Sequence, residues 1–203
     1  DGEGDKRDLA YMITAMGISM RGSYCMYQGE ELGLPEGDVP YDLMQDPYGL
    51  EFYPEFKGRD GCRTPMPWDE QKHAGFSVAD ETWLPVMDSH LPLNVDIQTN
   101  RDDSVYSRIK RFIHWQKTHA ALRSGGIEFI DTAGGILAFR RTVNGGDVLC
   151  VFNLGVETVT LNKSDLFSDD LHLDNHVSCN ITLADEQHIE IGAFAAGFFV
   201  QPA

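Results

Sequence analysis

Residues 30–101 have almost no hydrophobic periodicity, and this stretch limits what the chain can fold into more than any other feature. It contains eight of the nine prolines, together with many glycines, aspartates and asparagines. A structureless segment of that length inside a compact domain is uncommon unless it carries function or packs on another structure. We therefore predict one large functional loop between two regular parts of the chain.

The part before this loop combines a helix with a short apolar run. Residues 5–21 have apolar side chains at three- and four-residue spacings, which predicts a helix that ends near Gly22. Residues 23–29, SYCMYQG, are a short apolar run with aromatic residues and predict a buried strand. A helix followed by one buried strand is a single step of a parallel sheet, and active residues tend to follow such strands. The strand's neighbours are expected upstream of this chain, which does not begin with Met.

Regular structure returns after the loop. Residues 102–122 predict a helix whose start is marked by Asp102, Asp103 and Ser104. From Gly125 onward the chain consists of short β-prone runs, and Asn144-Gly145-Gly146 is typical of a hairpin turn. These runs predict a small antiparallel β-sandwich. The acidic tract at residues 168–170 is interpreted as a solvated loop.

Charge and cysteine usage exclude several kinds of protein. The net charge of −16 and the pI of about 4.6 argue against nucleic acid or an anionic membrane as a partner. No apolar run approaches the length of a membrane span. The four cysteines lie far apart without metal-ligand spacing, and Cys25, Cys150 and Cys179 are expected to be buried free thiols. Together these features favour a reducing, cytoplasmic compartment.

The most polar part of the loop is the run EFKGRDGCRTPMPWD at residues 55–69. Arg59, Asp60 and Arg63 stand among glycines and prolines in this run, so it cannot continue a helix or a central strand. Irregular backbone needs hydrogen-bond partners, and we expect Asp60 and Arg63 to form an internal ion pair or to bind the backbone. Trp68 is expected to pack under the loop, with sugar stacking as the alternative.

Several motifs resemble one known family. The runs GSYCMYQGEELGLP, QDPYG, EFKGRDGCRTPMPWD, AGFS and WLP, and the later VLCVFNLG, are similar in order and content to bacterial exo-acting α-glucosidases of the α-amylase superfamily, glycoside hydrolase family thirteen. The resemblance implies the last α-β-α portion of a (β/α)8 barrel with a long eighth βα loop, at residues 1–124. It implies a C-terminal antiparallel β-sandwich at residues 125–203. No organic cofactor and no metal site are expected.

The same resemblance implies what the chain does. The family hydrolyses terminal non-reducing α-linked glucose from short oligosaccharides such as maltose with retention, using carboxylates at strand ends that precede residue 1. We therefore predict no catalytic residue in this chain, which would be inactive without the missing N-terminal barrel portion. The alternative function is a non-catalytic carbohydrate-binding or assembly module, in which exposed aromatics such as Phe194, Phe198 and Phe199 would form the site.

One residue is assigned to substrate binding through the resemblance. Arg59 occupies the position of the family's arginine that binds the terminal glucose, and a guanidinium fork suits two vicinal hydroxyls. The alternative is that Arg59 only ties the loop together. Gln28 and Glu30 follow the predicted strand and either line the pocket or anchor the loop. Asp46 begins a predicted turn, and one carboxylate is too few for a calcium site.

Overall fold

The computed structural model describes residues 2–144, 146–167 and 171–202. The chain divides into two compact units, one made of Asp1–Cys25 and Arg108–Ala203 and the other of Met26–Ser107. This grouping follows contacts within the chain, whereas the boundary predicted at residue 125 separates a barrel portion from a sandwich and stays a prediction. The acidic tract Ser168-Asp169-Asp170 and the hairpin residue Gly145 lie outside the described residues.

Helices occur at both ends of the loop and, in short form, within it. The α-helices are α1 (Gly2–Ser19), α2 (Pro47–Glu51), α3 (Val95–Thr99), α4 (Val105–Thr118), α5 (Ala120–Ser124) and α6 (Lys163–Leu166). Short 3-10 turns occupy Glu30–Leu32, Tyr41–Leu43, Asp60–Cys62, Lys72–Gly75 and Leu91–Leu93. The long loop is therefore a chain of single turns, without any element long enough to produce hydrophobic periodicity.

The first predicted helix is confirmed as α1, although its buried face is slightly shifted. Tyr11, Met12 and Ala15 are buried on α1, whereas Ile13, one of the apolar residues of the predicted helix, is 47% exposed. The helix ends at Ser19, whose hydroxyl donates to the carbonyl of Ala15 at 2.6 Å. A hydroxyl that bonds back by four residues is common on helices and satisfies the side chain locally.

The predicted strand at residues 23–29 is wrong. Residues 23–27 belong to no helix or strand, and Cys25, expected to be buried, is exposed. A parallel strand exists only through hydrogen bonds to neighbouring strands, and the apolar run alone cannot supply them. Tyr24 instead lies against α1, where a Cβ added to Gly17 would come within 2.5 Å of its ring.

The helix predicted at residues 102–122 is confirmed in its first part. Ser104 marks its start as expected, because its hydroxyl accepts from the amide of Ser107 at 3.1 Å. Val105, Ile109 and Phe112 are buried along one side of α4. The helix stops at Thr118, and His119 has an extended backbone before the separate helix α5 begins.

The C-terminal part forms an antiparallel sheet, as the β-prone runs predicted. Its strands are β1 (Gly126–Ile130), β2 (Ile136–Thr142), β3 (Val148–Asn153), β4 (Val159–Asn162), β5 (His172–Leu173), β6 (Cys179–Leu183) and β7 (His188–Val200). The order of the main path is β1-β2-β3-β7-β4, with β5 and β6 also paired to β7. The last strand, β7, is the longest and pairs with β3, β4, β5 and β6.

This long last strand explains how the sheet encloses a core. Residues 188–191 of β7 pair with β4, and residues 196–200 pair with β3. Phe194 lies between these two segments with a φ of 48°, so the strand changes direction there. Apolar side chains from both halves then pack together, including Leu149, Val151, Leu161, Ile181, Ile189, Ile191 and Phe199. An antiparallel sheet with this packing is consistent with the predicted sandwich.

A buried arginine ties this sheet to helices α1 and α5. Arg141 of β2 is 1% exposed, and its guanidinium donates to main-chain carbonyls only. Nη1 donates to Ser19 at 2.6 Å and to Met20 at 3.0 Å, both at the end of α1. Nε donates to Gly126 at 2.9 Å and Nη2 donates to Gly125 at 3.0 Å. Carbonyls at helix C-termini carry partial negative charge, so they balance this cation in place of a carboxylate.

Candidate functional site

The most polar cluster of the loop unit is centred on Asp46. This residue caps the start of α2, and its carboxylate accepts from the amide of Tyr48 at 3.1 Å. Arg59 donates to the same carboxylate three times, from its amide at 3.0 Å, from Nε at 2.8 Å and from Nη2 at 3.2 Å. The Asp46 side chain is fully buried, whereas the Arg59 side chain remains 54% exposed. The guanidinium is therefore fixed from beneath while part of its surface faces solvent.

The electrostatics of this pair keep both groups charged. The side-chain hydrogen bond from Arg59, with those from the amides of Tyr48 and Arg59, holds the pKa of Asp46 well below its usual range. The same hydrogen bond raises the pKa of Arg59. The Arg59 guanidinium also lies 5.9 Å from the centre of the Tyr48 ring, which adds a cation–π contact.

Asp60 accepts hydrogen bonds from backbone amides rather than from an arginine. It is fully buried, and its Oδ2 accepts from the amides of Gln45 at 2.6 Å and Asp46 at 2.8 Å. This geometry matches the predicted backbone-binding alternative for Asp60. The predicted ion pair with Arg63 is not formed, because Arg63 places Nη1 3.9 Å from Asp46 instead. Asp60 therefore orients the segment that contains Asp46.

Gln28 and Glu30, predicted to follow a strand, lie in a turn that lines a cavity of 350 Å³. Gln28 donates to the carbonyl of Thr64 at 3.1 Å and so anchors the loop. Glu30 is exposed at the start of a 3-10 turn, and its neighbour Glu31 accepts from the amide of Gly29 at 2.7 Å. Gln28 therefore contacts the loop and this cavity, and its place in a glucose pocket stays a prediction.

One further prediction about this unit differs from the structure. Trp68, expected to pack under the loop, is 49% exposed. Its amide donates to the carbonyl of Ala74, so the backbone is fixed while the indole extends outward. His90 is a buried residue of this unit. It is 2% exposed, and its Nε2 lies 2.8 Å from the carbonyl of Pro35. A carbonyl only accepts, so Nε2 carries the proton in this tautomer.

A second cavity of 490 Å³ lies in the same unit. Glu36 and Gly61 line both cavities, and the second is completed by residues of the segments 37–44 and 54–58. Gly37 and Gly61 meet closely at its base, where the amide of Gly37 donates to the carbonyl of Gly61 at 3.0 Å. A Cβ on Gly61 would come within 2.4 Å of the Gly37 carbonyl oxygen, so only glycine fits this contact.

Two features of the described residues bear on the class of site. Within residues 2–144, 146–167 and 171–202, the histidine, cysteine and carboxylate side chains form no group of three or more suited to a metal ion. No helix in the described part of the chain is long and apolar enough to cross a membrane. Phe198 and Phe199 are fully buried, so these two do not provide the exposed aromatic row that the binding-module alternative required.

Comparison with known protein families and sequences agrees with the resemblance drawn from the motifs. Residues 2–125 match the family model described as alpha amylase, catalytic domain. A probable alpha-glucosidase of Rhizobium meliloti is 44% identical over 160 residues, which cover 79% of this chain and 29% of that protein. Salivary alpha-glucosidase of Aedes aegypti is 37% identical over 145 residues, covering 70% of this chain and 25% of that protein. The chain thus spans less than a third of the length of these relatives.

Solved structures show the same relationship at the level of the fold. The alpha-glucosyl transfer enzyme XgtA superposes with a TM-score of 0.87 at 40% sequence identity, covering 96% of this chain and 36% of that one. The trehalulose synthase MutB of Pseudomonas mesoacidophila superposes with a TM-score of 0.80 at 22% identity and covers 38% of that chain. The second likeness shows the fold alone. Because the family model matches residues 2–125, which are more than half of this chain, the chain belongs to the α-amylase family.

Proposed function

We propose that this chain is the C-terminal part of an α-glucosidase that removes terminal non-reducing glucose from short α-glucosides such as maltose with retention. In this proposal Arg59 binds the terminal glucose. The observation that carries the assignment is its guanidinium, which buried Asp46 fixes through Nε and Nη2 while the side chain stays half exposed. A guanidinium fixed in this way presents donors to vicinal hydroxyls without further ordering.

The chemistry requires groups that we assign to the N-terminal barrel portion. Retaining hydrolysis needs two carboxyl groups about 5–5.5 Å apart on either side of the scissile bond. Within the proposal, the buried Asp46 and Asp60 are both engaged with donors of their own loop, so neither serves as nucleophile or acid. The chain therefore binds the substrate and shapes its pocket, and the barrel portion supplies the groups that cleave the bond. In the family's architecture, we expect α1 and α4 to correspond to the seventh and eighth helices, and residues 23–28, which form no strand in this structure, to the position of the eighth strand.

A second candidate function is transfer of the glucosyl group to another hydroxyl. It is favoured by the 40% identity to XgtA, which is described as an alpha-glucosyl transfer enzyme. Retaining hydrolysis and transfer share a covalent glucosyl intermediate and differ in whether water or a sugar hydroxyl attacks it. Product analysis at high maltose concentration separates them, since transfer yields trisaccharide and hydrolysis yields glucose alone.

The test replaces the matching segment of the Rhizobium meliloti relative with this chain and measures glucose release from maltose. We expect the chimera to be active and the isolated chain to be inactive. In the chimera, Arg59→Lys should lower kcat/KM at least about 100-fold, because an ammonium cannot reproduce the two-point fork.

Arg101→Lys is the matched control for this substitution. The Arg101 side chain is 55% exposed and pairs with Asp103 at 3.3 Å in the same unit, which closely parallels the exposure of Arg59. We expect its kcat/KM to stay within about twofold of the chimera. Equal losses of kcat/KM in the two variants would contradict the role proposed for Arg59. Glucose release by the isolated chain would contradict the assignment of bond cleavage to the N-terminal barrel portion.

A further inference from the structure

Residues 104–127 have a charge opposite to that of the whole chain. They include five lysines and arginines and two histidines but no aspartate or glutamate, whereas the chain has a net charge of −16. Helix α4 carries four of these five cations. Like charges three or four residues apart on a helix destabilise it slightly. The stability of α4 therefore does not explain why cations are concentrated here.

Three side chains of α4 form an exposed basic stripe. Lys110, His114 and Lys117 are exposed and follow one another at spacings of four and three residues, which places them on one face of the helix. Ile109 and Phe112 are buried on the other side. Lys117 has no ion-pair partner among the residues that the structure describes. The basic stripe therefore presents its charge to solvent.

The helix dipole accounts for only one position of the basic stripe. Lys117 lies in the last turn of α4, where a cation interacts favourably with the C-terminal carbonyls. Lys110 and His114 lie before that turn, and the dipole effect falls off within it. The basic stripe extends for about 10 Å along the helix. A surface of this kind is complementary to an acidic partner surface.

The opposite charge is concentrated around the turn between β6 and β7. Residues 154–190 contain eight aspartates and glutamates and one lysine. Asp185, Glu186 and Glu190 are exposed at or next to this turn, and we call these three residues the acidic turn. Lys163, the lysine of this segment, donates from Nζ to the main-chain carbonyl of Asp185 at 3.1 Å. Its hydrogen bond thus engages the backbone rather than a carboxylate.

The net charge does not keep two copies of the chain apart at short range. Two molecules of charge −16 repel each other at a distance, but charges more than about 10 Å apart are largely screened at 0.1 M salt. Opposite charges in direct contact are screened much less, so the local pattern of charge decides which surfaces meet. The basic stripe and the acidic turn are complementary in this sense.

We propose that the basic stripe of one copy binds the acidic turn of a second copy, so that the protein self-associates weakly. A second copy is the partner for which this chain itself provides the complementary surface. Both surfaces belong to the same compact unit, so the contact requires no particular arrangement of the two units. The inference goes beyond the proposed function and does not depend on it, because neither surface includes Arg59 or its loop.

Sedimentation velocity of the full 203-residue chain measures the association. We expect the average mass to rise with concentration up to about 300 µM, where contacts with micromolar dissociation constants form. Raising NaCl from about 0.1 M to about 0.5 M should lower the association constant at least about fivefold. Association through apolar surface would instead persist at the higher salt concentration, and that result overturns the proposal.

Charge reversal on each surface tests the pairing directly. Lys110→Glu with Lys117→Glu makes both surfaces acidic, and Glu186→Lys with Glu190→Lys makes both surfaces basic. Each double variant alone should self-associate at least about tenfold more weakly, because its two surfaces repel. An equimolar mixture should associate again, since the reversed surface of each variant matches an unchanged or reversed surface of the other. Misfolded variants cannot produce this recovery.

Lys72→Glu with Arg101→Glu is the matched control. It changes the net charge as much as the first double variant does, and both side chains are more than half exposed outside the two surfaces. Its association constant should stay within about threefold of the unchanged chain. An equal loss in this control, a mixture that does not associate, or an unchanged chain that stays monomeric overturns the proposal. A monomeric chain that binds poly-L-glutamate through the basic stripe has another acidic partner, which also excludes the second copy.

Discussion

Replacing Arg141 by Met should destabilise the protein, because its guanidinium binds four main-chain carbonyls at the ends of α1 and α5 and in β1. The change preserves most of the side chain's length and apolar stem but removes every donor. The carbonyls of Ser19 and Gly125 lose their partner in buried surroundings, and those of Met20 and Gly126 lose theirs where water has partial access. The helices α1 and α5 would then end next to β2 without any neutralising group.

The magnitude follows from these contacts. A buried carbonyl that loses its donor costs about 1–3 kcal/mol, and two such groups give about 2–6 kcal/mol. Removing the guanidinium also relieves its own desolvation, which offsets part of this loss. The expected net loss is about 3 kcal/mol of unfolding free energy, or a fall of about 6–12 °C in Tm for a chain of this size.

Urea denaturation followed by tryptophan fluorescence measures this loss. Trp115 is 8% exposed, whereas Trp68 and Trp83 are 49% and 65% exposed, so the emission shift on unfolding reports mainly on Trp115. The matched control is Arg140→Met in the same strand, where a half-buried arginine lies 3.5 Å from Asp147. We expect a loss below about 1 kcal/mol for that control. A loss below about 1 kcal/mol for Arg141→Met as well would refute the account of Arg141 as a shared helix cap.

Two more predictions concern titratable groups. Iodoacetamide should label exposed Cys25 and Cys62 quickly and Cys150 at least about 100-fold more slowly, because burial excludes reagent and raises the pKa of the Cys150 thiol. Peptide mass spectrometry measures this, and fast labelling of Cys150 in the folded chain would contradict its burial. Hydrogen bonds from the side chain of His188 and neighbouring amides lower the pKa of Asp185 to about 2, so its stabilisation is present above the ordinary carboxyl pKa and is lost as pH falls toward 2. Asp185→Asn should flatten unfolding free energy between about pH 4 and pH 2, and an unchanged slope would count against that contribution.

The sequence predicted the elements whose side chains alternate or repeat regularly. The first four residues of β2 and all but the last residue of β3 are apolar, and both strands formed where expected. Strand β5 has only two residues, and β6 is mostly exposed and contains Asn180 at a φ of 55°, so neither carries a periodic signal. The strand predicted at residues 23–29 did not form, although its signal was strong. The apolar pattern indicates burial, but it cannot identify the neighbouring strands that a parallel strand needs.

The site was predictable by residue type but not by partner. Charged groups at residues 55–69 were expected to bind partners in the long loop, and Arg59 and Asp60 do so. The sequence could not indicate that Arg59 would select Asp46, which lies 13 residues earlier, in preference to its neighbour Asp60. That choice depends on the turn at Gly58, whose φ of 73° brings the chain back toward the start of α2.

The hydrogen bonds explain why Asp46 and Asp60 have different roles. Asp60 binds the amides of Gln45 and Asp46, which fixes the backbone that carries the Asp46 side chain. Asp46 then binds Arg59 through both its amide and its guanidinium, so the arginine is held at the two ends of its side chain. A long side chain fixed at both ends loses little further rotamer entropy when a ligand arrives. Under the proposed function, Asp46 and Asp60 would contribute to sugar affinity by ordering Arg59, without any ligand contact of their own.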